Sequence, residues 1–186
     1  MRSSGAPCGK SHFGNELFDR AVAARLTSGE SYVGFVGQSL RSFRQAQRLG
    51  YRTLELEAAN SHVRNVVRQH AKAFRQHGIE TRSWLNEAQC RKTEREYAMA
   101  DVIVVCSEYT RQSFLAEGFP ADKLRLRQLV PHPRFQPPQE RPVDGIFRIV
   151  YTGSITVVKG VPLLLEAFSR LKGEAELTLV GGWASR

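Results

Sequence analysis

Short apolar runs alternate with longer segments of helical periodicity from residue 15 onward, and this alternation constrains the fold more than any other feature. The short runs are rich in β-branched residues, as in the strands of a parallel sheet, and the longer segments repeat apolar residues every three or four positions. We therefore predict an α/β chain. The predicted strands are 32–36, 53–57, 102–106, 124–129, a run through 149–151 and one ending at Gly181. The predicted helices are 16–26, 39–49, 61–77, 86–99, 109–117 and one opening near Lys159, with a loop near 79–84.

Proline content divides the chain. Residues 131–142 hold five of the eight prolines and have almost nothing apolar to bury, which is typical of an interdomain linker. We predict a disordered segment over 1–14, part of a first Rossmann-like domain over 15–130, a linker over 131–145 and the start of a second domain over 146–186.

Length and composition limit the protein class. A chain of 186 residues with 41% hydrophobic content can form one or two domains. Neither a secretory signal nor a membrane span is visible, and the three cysteines are far apart, so we expect reduced thiols in a cytoplasmic protein. The histidines and cysteines do not fall at metal-ligand spacings, so we expect neither a metal nor a cofactor.

The positive charge is concentrated. Between Arg41 and Arg82, eight arginines and one lysine face three glutamates, an excess that favours acidic partners. The predicted helix 61–77 carries a cationic stripe formed by Arg64, Arg68, Lys72 and Arg75. This stripe is either the solvated side of a helix that covers a sheet or a contact with an anionic lipid surface or a phosphorylated acceptor, at the inner face of the membrane. Aromatic residues are not interleaved with the arginines, which disfavours nucleic acid.

The closing segment has the pattern of an anion site. An apolar run through 149–151, typical of a strand buried on both faces, leads into Gly153 and Ser154, and Lys159 and Gly160 precede a helix. A helix start beside a strand end offers backbone N–H groups and a partial positive charge to an anion. The alternative is an ordinary βαβ unit with a solvated lysine. Neither a Walker loop nor a GxGxxG fingerprint is present.

These residues resemble a known family. Gly153-Ser154-(x4)-Lys159-Gly160-Val161, followed by LLLEAFSRL and ELTLVGG, resembles the donor domain of GT-B glycosyltransferases of family 4, the glycosyltransferase group 1 type. The segment TEREYAMADVIVVCSEYTRQSFLAEGFPADKLRL resembles the end of that family's acceptor domain. The resemblance covers residues 94–186 and extends more loosely to about residue 31.

The resemblance implies two Rossmann-like lobes, both incomplete here, and retaining transfer of a sugar from a nucleotide-diphosphate sugar to a saccharide or lipid-linked acceptor. It places Gly153, Ser154, Lys159 and Gly160 at the donor phosphates, and His62, with Glu57 as a weaker companion, beside the transferred sugar. Much of the family has arginine where Ser154 stands, and the Gly-Val-Asp usual in the linker is missing. The family's paired glutamates would fall beyond residue 186, so we expect this chain alone to be inactive.

Alternatives remain open at this stage. His62 is equally interpreted as a polar residue in the first turn of a helix. The chain as a whole is also compatible with a catalytically dead basic binding module. A Rossmann oxidoreductase shares the strand and helix alternation but has the glycine fingerprint that this sequence lacks.

Overall fold

A computed structural model describes residues 9–79, 85–136 and 143–183 of the chain, with side chains from residue 13 onward. It divides into two compact units. Of the described residues, the first comprises 9–69 and 85–130, and the second comprises 70–79, 131–136 and 143–183.

The strands and helices follow the predicted alternation. In chain order they are α1 (Gly9–Arg25), β1 (Ser31–Phe35), α2 (Leu40–Arg48), β2 (Thr53–Ala58), α3 (Val63–Gln76), α4 (Glu87–Met99), β3 (Val102–Val105), α5 (Glu108–Leu115), β4 (Leu124–Leu126), β5 (Phe147–Thr152), α6 (Val161–Ser169) and β6 (Ala175–Val180). Single turns of 3₁₀ helix precede β4 (Ala121–Lys123) and α6 (Val157–Lys159).

The largest difference from prediction is at the start of α1. This helix begins at Gly9, so residues 9–14, expected to be disordered, are helical. The carboxylate of Asp19, on α1, accepts hydrogen bonds from the backbone N–H groups of Arg41 and Ser42 on α2. This contact anchors α1 to α2 through the part of the helix that was predicted, and the helix extends from there toward Gly9. Residues 1–8, most of the predicted loop 79–84 and residues 137–142 of the predicted linker lie outside the described residues.

The first unit contains a four-stranded parallel sheet in the order β1-β2-β3-β4. Because the spatial order follows the sequence order, every crossover advances in the same direction. Right-handed crossovers then place the connecting helices on one face of the sheet. The described part of the chain therefore confirms an α/β architecture with a parallel sheet.

The helices cover the face to which Leu54, Leu56 and Ala58 point. The core of the unit lies there. Its buried members from strands and helices are Phe43, Ala46, Leu54, Leu56, Ala58, Val63, Cys90, Tyr97, Ala100, Ile103, Val105, Phe114 and Leu124. Burial of this apolar surface is the main stabilising contribution to the unit.

The opposite face of the sheet is partly exposed and carries both apolar and charged side chains. Val33 and Phe35 on β1 are 51% and 56% exposed. Glu55 on β2 accepts from Arg125 on β4 at 2.8 Å and from Arg127, which follows β4, at 2.9 Å. Parallel sheets usually have both faces covered, and in this unit cross-strand ion pairs stand on the second face instead.

The second unit contains the parallel pair β5–β6 and α6. Ile155 and Val161 are its buried hydrophobic residues. Val150 of β5 is 64% exposed, so the prediction of a strand buried on both faces is wrong. The apolar run was correctly assigned to a strand, but Val150 lies on a face of the β5–β6 pair that stays largely exposed among the described residues.

Among the described residues, no helix combines the length and the apolar character needed to cross a membrane. Cys90 is buried and Cys106 is half-buried, and both are free thiols. Cys8 lies outside the described residues.

Candidate functional sites

A cleft of about 230 Å³ opens at the carboxyl ends of β1 and β2. Parallel strands end at the same edge of the sheet, and in open α/β sheets ligands bind in the crevice outside those ends. Hydrogen-bonding side chains from the β1–α2 loop, the β2–α3 loop and α4 line the cleft: Gln38, Asn60, Ser61, Gln89, Lys92 and Thr93. The cleft therefore suits a ligand with several hydroxyl or amide groups.

A buried carboxylate shapes one wall of this cleft. Glu96 on α4 is fully buried and accepts from the backbone N–H groups of Gly37, Ser39 and Leu40 at 2.5, 2.9 and 3.1 Å. Burial raises its pKa to about 7, although the hydrogen bonds from Ser39 and Gly37 favour the charged form. Glu96 thus fixes the loop between β1 and α2, although it lies 57 residues from Ser39 in the sequence.

A second buried carboxylate, that of Asp19, caps the start of α2. Asp19 accepts from the N–H groups of Arg41 and Ser42 at 2.8 and 2.9 Å and from the Ser42 hydroxyl at 2.8 Å. The first turn of a helix favours anions because its N–H groups have no partner within the helix. At α2, carboxylates of the protein itself occupy this position.

Lys92 partly compensates the charge of the two carboxylates. Its Nζ lies 3.9 Å from Asp19 and 4.0 Å from Glu96, donates to the Gly37 carbonyl at 3.0 Å and forms an ion pair with Glu16. This cluster was not predicted from the sequence. A weak signal was available, because Glu96 interrupts the buried positions Cys90, Thr93 and Tyr97 at helical spacing.

The structure places His62 in the aromatic core. It is 3% exposed, and its ring centroid lies 5.0, 5.2 and 5.5 Å from those of Tyr97, Phe114 and Phe119. Burial lowers its pKa, which favours the neutral imidazole. Nδ1 accepts from the Arg64 N–H at 3.3 Å. These contacts favour a packing role, while the predicted role beside a transferred sugar stays a prediction.

Glu57, the predicted companion of His62, lies at the end of β2 and lines the cleft. Its carboxylate forms an ion pair with Arg127. His62 packs among the rings on the helix-covered face, whereas Glu57 alternates with Leu56 and Ala58 and points to the opposite face. The structure therefore does not bring the two predicted residues together.

In the second unit, the predicted phosphate residues flank the first turn of α6. Gly153, Ser154 and Lys159 are exposed. Gly160 adopts the left-handed conformation with φ of 76°, which glycine adopts without strain. The turn after β5 and the start of α6 thus lie at the carboxyl end of the β5–β6 pair, as predicted.

Two glycines allow the ends of β5 and β6 to meet. Gly181 has φ of 155°, and a Cβ atom there would lie 1.8 Å from the Gly153 carbonyl oxygen. The Gly153 N–H donates to the Val180 carbonyl at 2.9 Å. Only a residue without a side chain permits this approach of the two backbones.

Internal contacts occupy several backbone donors near α6. The N–H of Lys159 bonds the Thr156 hydroxyl at 3.3 Å, that of Gly160 the Val157 carbonyl at 2.9 Å, and that of Val161 the Thr156 carbonyl at 3.4 Å. Pro162 has no N–H. An anion at this position would therefore depend more on the Lys159 side chain than the pattern of a helix start suggests.

The cationic stripe on α3 is partly neutralised within the protein. Arg64 pairs with Glu87 at 2.7 Å and with Glu94 at 2.5 Å, and Arg68 pairs with Glu117 at 2.5 Å. Lys72 and Arg75 are exposed. The net charge that α3 presents is therefore smaller than the sequence suggests.

Among the residues that the structure describes, no group of three or more histidine, cysteine, aspartate or glutamate side chains is arranged to hold a metal ion. Comparison of the chain with models of known families, with curated proteins and with solved structures gives no match. The functional interpretation therefore rests on the residues and their geometry.

Proposed function

We propose that this chain belongs to the retaining GT-B glycosyltransferases of family 4 and takes part in sugar transfer from a nucleotide-diphosphate sugar. The observation that carries the proposal is the arrangement in the second unit. A parallel strand, an exposed glycine turn, Lys159 and a helix start follow one another, and Gly153 and Gly181 let the two strand ends meet. The resemblance of residues 94–186 to that family adds support.

Lys159 and the turn at Gly153-Ser154 would hold the donor diphosphate. A lysine ammonium beside a diphosphate stabilises the negative charge that develops as the nucleoside diphosphate leaves. The acceptor hydroxyl attacks the anomeric carbon on the face from which the diphosphate departs. The new glycosidic C–O bond forms as the bond to the phosphate oxygen breaks, and the hydroxyl proton passes to that departing oxygen. Ser154 contributes one hydrogen-bond donor and no charge, and Lys159 is therefore the main electrostatic group at this site.

The acceptor would use the cleft of the first unit. The amide and hydroxyl side chains that line the cleft, with Lys92, can hydrogen-bond to a polyhydroxylated molecule. Glu96 and Lys92 hold the β1–α2 loop that forms one wall. A rigid wall reduces the entropy lost when the ligand binds.

Calorimetric titration of the 186-residue chain with ADP, GDP and UDP tests the donor site. We expect saturable binding of at least one nucleoside diphosphate, and Lys159→Ala to weaken it about tenfold or more through loss of a charged hydrogen-bond donor. Lys172→Ala, which removes an exposed lysine beyond the end of α6, is the matched control. Absence of nucleotide binding, or equal affinity of Lys159→Ala and the unmodified chain, contradicts the proposal.

A second candidate is a basic binding module without catalytic activity. Exposed arginines on α2 and α4 favour it, since Arg44 and Arg95 have no acidic partner among the described residues. The same titration separates the two candidates, because a module of this kind binds phosphate groups without dependence on Lys159.

A further inference from the structure

The basic excess between residues 41 and 82 is distributed unequally in the fold. On α3, Arg64 and Arg68 are paired with glutamates of α4 and of the segment after α5. On α2, Arg41, Arg44 and Arg48 are exposed and lie at spacings of three and four residues, which places them on one side of the helix. Cations without an acidic partner among the described residues thus remain at Lys72 and Arg75 of α3 and at Arg44 and Arg48 of α2.

A groove of about 310 Å³ lies beside these arginines. Arg41 and Arg44 of α2, Lys92 and Arg95 of α4, and Glu16 of α1 supply its charged lining. Four cations and one carboxylate therefore converge on one concave surface. The groove shares Lys92 with the cleft at the carboxyl edge of the sheet but is otherwise lined by different residues.

The cations of the groove differ in whether they already form ion pairs with carboxylates of the protein. Lys92 is committed to three carboxylates, and Arg41 lies 3.6 Å from Glu16. Arg44 and Arg95 form no ion pair or side-chain hydrogen bond within the described ranges 9–79, 85–136 and 143–183. Two guanidinium groups from neighbouring helices thus line the groove with unused donors.

Phosphate is the anion that this geometry fits best. A guanidinium group presents parallel N–H donors that match two oxygens of a phosphate, and a phosphate has enough oxygens to engage more than one arginine. We propose that the groove between α2 and α4 binds the phosphate or diphosphate group of a ligand, with Arg44 and Arg95 as its principal contacts and Arg41 at its edge. This site is independent of Lys159 and of the proposed transfer reaction.

Titration with inorganic pyrophosphate tests the site, using the complete chain at low and at physiological ionic strength. Because each charged hydrogen bond contributes more than a neutral one, we expect Arg44→Gln/Arg95→Gln to raise the apparent Kd for pyrophosphate about tenfold or more. The control is Arg52→Gln/Arg75→Gln, which removes the same charge at two exposed positions outside the groove. Circular dichroism establishes that both double variants are folded. The titration is repeated in the Lys159→Ala background, where binding at the proposed donor-phosphate turn is weakened and the effect of Arg44→Gln/Arg95→Gln should remain.

A vesicle arm distinguishes a soluble phosphate from a lipid headgroup. Vesicles of phosphatidylcholine with phosphatidic acid are compared with pure phosphatidylcholine by co-sedimentation. Loss of binding to either probe in the Arg44→Gln/Arg95→Gln variant, with retention in the control, supports the groove and identifies the source of the phosphate. Equal weakening in both double variants, or no binding of pyrophosphate and anionic vesicles by the unmodified chain, overturns the proposal.

Discussion

Glu96 makes the stability of this fold depend on pH. It is a fully buried carboxylate, and burial raises its pKa from 4.5 to about 7 in the folded chain. That difference corresponds to about 3 kcal/mol of unfolding free energy, at about 1.4 kcal/mol per pKa unit. Because the folded state holds the proton more tightly, this stabilisation is complete below pH 4.5 and is lost as the pH rises through 7.

The substitution Glu96→Gln removes the titrating group and preserves the shape of the side chain. The amide oxygen still accepts from Ser39 and Leu40, whereas the amide nitrogen cannot accept the Gly37 N–H. The loss of this hydrogen bond lowers the unfolding free energy by about 1–3 kcal/mol at every pH. Lys92 and Asp19, the charged groups that face Glu96, remain in both proteins.

Urea denaturation of the two proteins at pH 5, 6, 7 and 8 isolates the contribution of Glu96. Between pH 5 and 8 the unmodified chain should lose about 2.5 kcal/mol of stability relative to Glu96→Gln. His62 and the other titrating groups are common to both proteins, so their contributions cancel in the difference.

Glu94→Gln provides a control on the same helix. The pKa of Glu94 is lowered by its hydrogen bonds from Arg64. The contribution of Glu94 to stability therefore changes with pH only below about 4.5. The difference in unfolding free energy between Glu94→Gln and the unmodified chain should stay constant from pH 5 to 8. A constant difference for Glu96→Gln as well would refute the argument from burial.

Two further substitutions test packing at the predicted sites. His62→Ala should lower the unfolding free energy by about 3 kcal/mol, because it leaves a cavity among three aromatic rings, and chemical denaturation measures this; a change within about 0.5 kcal/mol would contradict a core role. Gly181→Ala should lower the free energy of local unfolding of the β5–β6 pair by more than about 2 kcal/mol, because the new Cβ meets the Gly153 carbonyl. Hydrogen exchange of the β5 amides should therefore accelerate in Gly181→Ala but not in Gly182→Ala, where a Cβ meets nothing within 4 Å; equal protection in both variants would exclude the predicted clash.

Local patterns were sufficient to predict most of the elements. The apolar periods predicted each strand and helix, and the hydroxyl of Ser107, two residues before the predicted helix 109–117, accepts from the Thr110 N–H at the start of α5. Gly118, the residue directly after the predicted helix 109–117, has a φ of 84°. These features depend on neighbours within a few residues, which the sequence displays directly.

The candidate sites depend on contacts that sequence spacing does not reveal. Glu96 joins the β1–α2 loop from 57 residues away, and Asp19 caps α2 from 23 residues away. Arg64 is an apparently solvated cation in the sequence, but its charge is satisfied by Glu87 and Glu94. A charge is compensated only when the fold brings an opposite charge within a few ångströms, and this proximity is a property of the tertiary structure.

The sequence alone therefore determined the α/β alternation, the glycine turn before α6 and the basic character of the chain. The tertiary structure decided which face of the sheet the helices cover, that His62 packs in the aromatic core, and which arginines remain without an acidic partner in the described part of the chain. Element type follows from the local period of apolar residues. Burial and charge compensation follow from the packing of elements that are distant in sequence, which the local pattern leaves open.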